Sequence, residues 1–164
     1  EYGGNSEKIA SEKYKDPIYG LPAHWAPNDL LFYSGDMFPK RYKNGAFIAF
    51  HGSTNRSPYP QAGYVVGFIP FSNGLPSGEL EIFADGFAQV EVIKEMKDAK
   101  YRPMGLAEGP DGSLYISDSK KGKIWRVLYT ADPLSFSDEN LKEMELRKYL
   151  PHIKTPIEFK DIVK

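Results

Sequence analysis

Two turn signals inside Tyr101–Tyr129, YRPMGLAEGPDGSLYISDSKKGKIWRVLY, limit what this chain can fold into more than any other stretch. Gly109-Pro-Asp-Gly-Ser lies between apolar Leu106-Ala107 and the alternating Leu114 and Ile116. Pro110 presets a turn backbone angle and Gly112 supplies a positive φ, so the spacing predicts a hairpin. Asp118-Ser-Lys-Lys-Gly122 then turns the chain into Lys123–Tyr129, where Ile124, Arg126 and Leu128 alternate with Trp125, Val127 and Tyr129. Three short antiparallel strands in close succession are a meander, the unit from which β-propeller blades are assembled.

Strand patterns precede it. Leu30–Ser34, Ala46–His51, Gly63–Phe71 and Glu79–Phe83 read as four strands, with Ser72–Gly78 as the turn between the last two. Gly52–Ala62 is one long loop, the kind that carries function in compact domains. Gln89–Lys97 reads as a connecting excursion, and the second blade opens at Arg102 with three clear strands. From Ser137 the period becomes helical, with Asp138 and Glu139 at the positive end and Arg147 and Lys148 at the other; Thr155-Pro-Ile-Glu158 is a capping box. The fold expected is all-β: about two antiparallel four-stranded blades of a six-bladed β-propeller with a short helical C-terminal tail. Its parts are an irregular segment 1–22, a partial propeller 23–130 and a helical linker or tail 131–164.

Composition narrows the function classes. With 41% hydrophobic and 14% aromatic residues among 164, a real core is affordable, and 21 basic against 22 acidic residues give no electrostatic case for nucleic acid or a membrane surface. Cysteine is absent, which excludes disulfides and thiolate metal sites and leaves the compartment open. No apolar run is long enough to span a bilayer. Because it begins at Glu1 rather than Met, the chain is expected to be a processed or excised piece. Gly-rich phosphate loops, HExxH and Ser/His/Asp nucleophile signatures are missing.

Phe32-Tyr-Ser-Gly35 with Phe38-Pro39, His51-Gly-Ser-Thr-Asn-Arg56, Gly63-Tyr64, Arg102-Pro-Met-Gly-Leu-Ala107 and Gly109–Tyr115 together resemble the C-terminal part of the glucose/sorbosone dehydrogenase family. The resemblance runs from about His24 to Tyr129, and Thr54 stands where that family's pattern has tryptophan. It implies a soluble six-bladed propeller that oxidises a sugar by hydride transfer to pyrroloquinoline quinone (PQQ). It further implies a catalytic histidine and calcium-binding residues mostly in blades upstream of Glu1, so that this chain alone is not expected to be active. The implied partners are the sugar and the remaining blades, as a second chain or a longer precursor. A c-type cytochrome domain downstream of a tail like this one, and a periplasmic or secreted location, complete the expectation.

PQQ carries three carboxylates, and arginine binds such groups bidentately in a plane. Arg102, at the start of an inner strand, is the first candidate for cofactor binding, with the surface salt bridge as its alternative. Lys100 shares its side of the strand. Arg56 ends the long loop as a candidate or a solvated cation; His51 follows an apolar strand as a candidate or a structural histidine; His24 precedes the first inner strand. Trp25 is read as packing, Asn55 as a loop brace and His152 as surface. The catalytic residue is left unassigned. Asp111 and Asp118 are explained by their turns, so no metal is expected on this chain. A non-catalytic binding scaffold is the rival reading, because fold does not imply function. A lactonase-type propeller would need acidic ligands where this sequence has basic ones.

Overall fold

The structure is a computed structural model that describes residues 15–150 and Ile153. Strands β1 (Pro27–Phe32), β2 (Ala46–Phe50), β3 (Val65–Ile69) and β6 (Glu81–Ala84) form one antiparallel sheet in the order β1-β2-β3-β6. Between β3 and β6 the short ribbon of β4 (Phe71–Ser72) and β5 (Leu75–Pro76) reverses the chain. Strands β7 (Pro103–Glu108), β8 (Leu114–Asp118) and β9 (Ile124–Val127) make a second, three-stranded antiparallel sheet.

Every residue of β2 and β3 is buried, as expected for central strands covered on both faces. The period of two sorts them. Phe47, Val66 and Phe68 point into an aromatic core with Tyr33, Phe38 and Tyr42, to which the second sheet contributes Leu114 and Ile116. Ile48, Phe50, Val65 and Ile69 point the other way, onto Trp25 and Ile82. Within the aromatic core the rings meet mainly edge to face, Phe47 and Phe83 at 4.7 Å and Tyr42 and Phe68 at 4.7 Å between centroids.

Side chains join the two sheets where β1 and β7 run side by side. Asp29 Oδ2 accepts the Leu106 N–H at 2.7 Å, beside a bulge in β7, and Glu108 accepts the Ser34 N–H at 2.7 Å. Tyr33 OH donates to the Gly112 carbonyl at 2.7 Å across the core. Helix α1 (Asp138–Leu146) follows, its Ser137 N–H bonded to Asn140 Oδ1 at 3.0 Å, and Arg147 Nη1 reaches the Phe83 carbonyl of β6 at 2.9 Å.

This architecture corrects the expected fold. A four-stranded and a three-stranded sheet share one core as a sandwich-like stack of antiparallel sheets, and among the described residues no ring of blades closes. Alternation and turn chemistry reveal strands and their pairing; they carry no information on closure, which depends on how sheets pack. The residue 155–158 capping box and His152 lie outside the described residues, as does the segment before Lys15.

Candidate functional site

An open cleft of about 550 Å³ lies where the end of β2 meets the start of β7. The backbone builds it. His51 N–H and Gly52 N–H continue the β1–β2 pairing by donating to the carbonyls of Ala26 and Trp25, each at 2.9 Å. The chain then swings into the 52–62 loop through Gly52, at φ +88°. Across the cleft His24 and Ala26 hold φ of 64° and 52°, left-handed values that cost a non-glycine residue about 1 kcal/mol or more.

Arg102 forms the floor. It is 7% exposed, its own N–H is anchored on Asp118 Oδ1 at 2.6 Å, and its guanidinium lies 5.4 Å from the ring centre of Tyr64. Nε donates to the His51 carbonyl at 3.0 Å and Nη2 to the Gly52 carbonyl at 2.7 Å. These contacts fix one edge of the fork and leave Nη1 without a partner among the described residues. Tyr64 is itself fixed: fully buried, at φ 62°, with its hydroxyl donating to the Ser53 carbonyl at 2.5 Å. Burial draws the pKa of Arg102 down, against the influence of Tyr64, yet a guanidinium stays charged at any relevant pH.

His51 lines the same cleft with Nε2 at 2.7 Å from Ser119 Oγ. Burial, then the charge of Arg102, lower its pKa, with Asp118 opposing them, so the ring is neutral near pH 7. Among the described residues no aspartate or glutamate lines the cleft, whose polar groups are His24, His51, Ser53, Thr54, Asn55 and Arg102. Asp118 sits behind Arg102. Burial disfavours its charged form, but the N–H groups of Arg102 and Lys121, the latter at 2.5 Å, hold its carboxyl below the usual range.

Three of the five expected site residues therefore converge: His24, His51 and Arg102. Arg56 is buried but outside the lining, with Nη1 on the Pro60 carbonyl at 3.0 Å and its guanidinium 5.5 Å from the Tyr59 ring, where it braces its own loop. Lys100 points away, its Nζ on Gln89 Oε1 at 2.9 Å and 5.3 Å from the Tyr101 ring centre. Sequence reasoning missed Tyr64 and Ser119. Only the glycine before Tyr64 hinted at a special backbone there.

A family model described as TrAA12-like matches residues 2–130. The chain belongs to the TrAA12-like family. This overturns the resemblance to glucose/sorbosone dehydrogenases, whose motifs around Arg102 and Gly109–Tyr115 are short enough to be shared between families. An uncharacterized protein of Borreliella burgdorferi is 36% identical over 129 residues, which are 78% of this chain and 32% of that protein. Two structures of Trichoderma reesei Carbohydrate-Active Enzymes Family AA12, a calcium structure and an iodide structure, match with a TM-score of 0.54 and 25% identity. The match covers 78% of this chain and 30% of each of those chains. The TrAA12-like chain thus spans about a third of the length of these relatives. Among its described residues no group of three or more His, Cys, Asp or Glu side chains is placed to hold a metal ion, and no helix is long and apolar enough to cross a membrane.

Proposed function

We propose that this chain is the part of a PQQ-dependent carbohydrate oxidoreductase that holds an anionic edge of the cofactor, in the cleft at Arg102. The observation that carries the reading is the donor set. A buried guanidinium has two nitrogens tied to backbone carbonyls and a third left for a ligand, in a cleft with no carboxylate among its described lining residues. A carboxylate placed there meets a pre-oriented cation and no like charge, which is the arrangement that gives short, strong hydrogen bonds. Membership of the TrAA12-like family and the likeness to the carbohydrate-active Trichoderma reesei structures support the same class of chemistry.

When bound, PQQ supplies an ortho-quinone able to accept hydride from a sugar carbon. The residues of this chain bind and orient. Arg102 takes the carboxylate through Nη1, and its ties to residues 51 and 52 prevent the fork from turning away. His24, exposed on the cleft wall, adds a second donor. Neutral His51 is able to hold a proton at Nε2, shared with Ser119.

Titrating PQQ into the chain, followed by its visible absorbance, tests the reading. Loss of one charge-assisted contact, about 2–3 kcal/mol, makes Arg102→Ala bind roughly 30- to 150-fold more weakly. Lys100→Ala, outside the cleft, leaves the affinity unchanged. Equal affinity of the wild type and Arg102→Ala refutes the assignment and favours a non-catalytic scaffold.

A further inference from the structure

An antiparallel sheet ends in strands whose outward N–H and C=O groups lack partners, and natural chains cover or blunt such edges. The two larger sheets have four edge strands: β1 and β6 in the first, β7 and β9 in the second. Strands β1 and β7 lie side by side and are tied by the bond from the Leu106 N–H to Asp29. Along β6, Arg147 Nη1 donates to the Ile82 and Phe83 carbonyls, at 3.4 and 2.9 Å. That leaves β9, which among the described residues pairs with β8 alone.

The residues of β9 do little to blunt this edge. Ile124 is 67% exposed and Leu128, just past the strand, is 46% exposed; the period of two puts both on the outer face with Arg126 between them. On the inner face Trp125 and Val127 pack, half-buried, against the aromatic core. The two cations placed to guard the edge are engaged over the sheet itself. Arg126 is paired with Asp111, donates from Nε to Ser113 Oγ at 3.1 Å and lies over the ring of Tyr115, its cross-strand neighbour, so it leans toward β8 and away from the open side. The ammonium of Lys123 rests 5.2 Å from the Tyr101 ring centre and 5.6 Å from that of Trp125. Neither proline nor glycine interrupts Ile124–Val127.

We propose that β9 is the docking edge for a second copy of this chain, joined antiparallel across a two-fold axis so that two three-stranded sheets become one of six. Such a pair is self-complementary, because an edge strand presents donors and acceptors alike and each copy offers the other the same run. A net charge of −1 leaves little repulsion between copies. Side chains set the register. Directly opposite residues of an antiparallel pair share a face, so a symmetric pairing centres on a residue. The registers that keep three residues of β9 paired centre on Trp125 or on Arg126. Centring on Arg126 opposes two guanidinium groups, which is unfavourable. Centring on Trp125 brings the two indoles together on the inner face and sets Ile124 against the partner's Arg126, an apolar residue against a cation already neutralised by Asp111. Because the other three edges are covered, the assembly closes at two copies and does not grow into a fibre. This interface uses neither the cleft at Arg102 nor the cofactor reading.

Sedimentation equilibrium of the full chain, from about 5 to 500 μM, is the test. A four-residue edge makes a small interface, so the expected result is a dimer with Kd on the order of 10–100 μM. Ile124→Lys sets a like charge against the partner's Arg126, and Ile124→Glu an opposite one, twice in each dimer. Position 124 is exposed in the single chain, so both variants keep the fold, which circular dichroism checks. The Glu variant should dimerise about fourfold or more tightly than the Lys variant at low salt, with the difference shrinking in about 1 M salt. A chain that stays monomeric throughout the range overturns the proposal and leaves the edge to another polypeptide. A dimer of equal Kd in the two variants, or mass growing beyond two copies, overturns it as well.

Discussion

Replacing Gly52 and Gly74 by alanine, one at a time, separates backbone strain from steric strain at the cleft. Both glycines have positive φ, +88° and +79°, so each substitution carries the same left-handed penalty of about 1 kcal/mol. Their surroundings differ. A Cβ at Gly74 has nothing within 4 Å, whereas one at Gly52 lands well inside contact distance of the Tyr64 ring. That ring has nowhere to go, being fully buried, tied through its hydroxyl to Ser53 and capped by Arg102. Overpacking adds about 1–3 kcal/mol, and any shift of Gly52 loosens its carbonyl from Arg102 Nη2. The expected losses are therefore about 1 kcal/mol for Gly74→Ala and about 2–4 kcal/mol for Gly52→Ala. In a chain of this size 1 kcal/mol moves Tm by about 2–4 °C, so thermal unfolding followed by circular dichroism should show drops of about 2–4 °C and about 4–16 °C. Equal drops would mean that Tyr64 yields freely, and the picture of a rigidly held Arg102 would fall with it.

Two pH effects follow from the charges described. Hydrogen bonds from the Ser113 hydroxyl and N–H, with Arg126 beside them, lower Asp111 from 3.8 to about 2. The group is depressed, so its contribution is complete above pH 3.8 and fades as pH falls toward 2. Urea unfolding of wild type and Asp111→Asn should give a gap that is constant at neutral pH and shrinks in that window; a gap unchanged at pH 2 contradicts the assignment. His51 is depressed by burial and by Arg102, so protonation favours the unfolded chain and stability declines as pH drops below 6.5. Arg102→Met should raise the His51 pKa in an NMR titration, and an unmoved value would show that Arg102 does not act on it.

The strands were legible because their physics is local. Ala46–Phe50 and the Asp111-Gly112 hairpin follow from alternation and from residues that preset turn angles, and the structure places β2, β8 and β9 within two residues of the sequence reading. The three strands of the second sheet were legible, whereas the way the sheets stack was not. Stacking depends on which faces meet, and Leu114 and Ile116 look the same in sequence whether they face a sister blade or an opposing layer. At the site, arginine's chemistry marked Arg102, but its separation from Lys100 required knowing that Gln89 lies close enough to draw that lysine away. Arg56 likewise read as a channel cation until its loop folded back onto the Pro60 carbonyl.

Backbone strain gathers near the cleft in a way no residue pattern foretells. Six non-glycine residues among those described have positive φ: His24, Ala26, Asn44, Tyr64, Asn73 and Gln89. Asn44 and Asn73 sit in turns, where asparagine tolerates that conformation. Of the other four, His24 and Ala26 line the cleft, Tyr64 lies under the Arg102 that floors it, and Gln89 stands apart beside Tyr101 and Trp125. Conformations this costly persist only where the surrounding structure imposes them. Contacts hold these residues: the Tyr64 ring lies under the guanidinium, the Ala26 carbonyl accepts the His51 N–H, and Gln89 Oε1 accepts from Lys100. The strain thus gathers around the cleft, where the backbone is bent by the same contacts that hold the guanidinium of Arg102 in place.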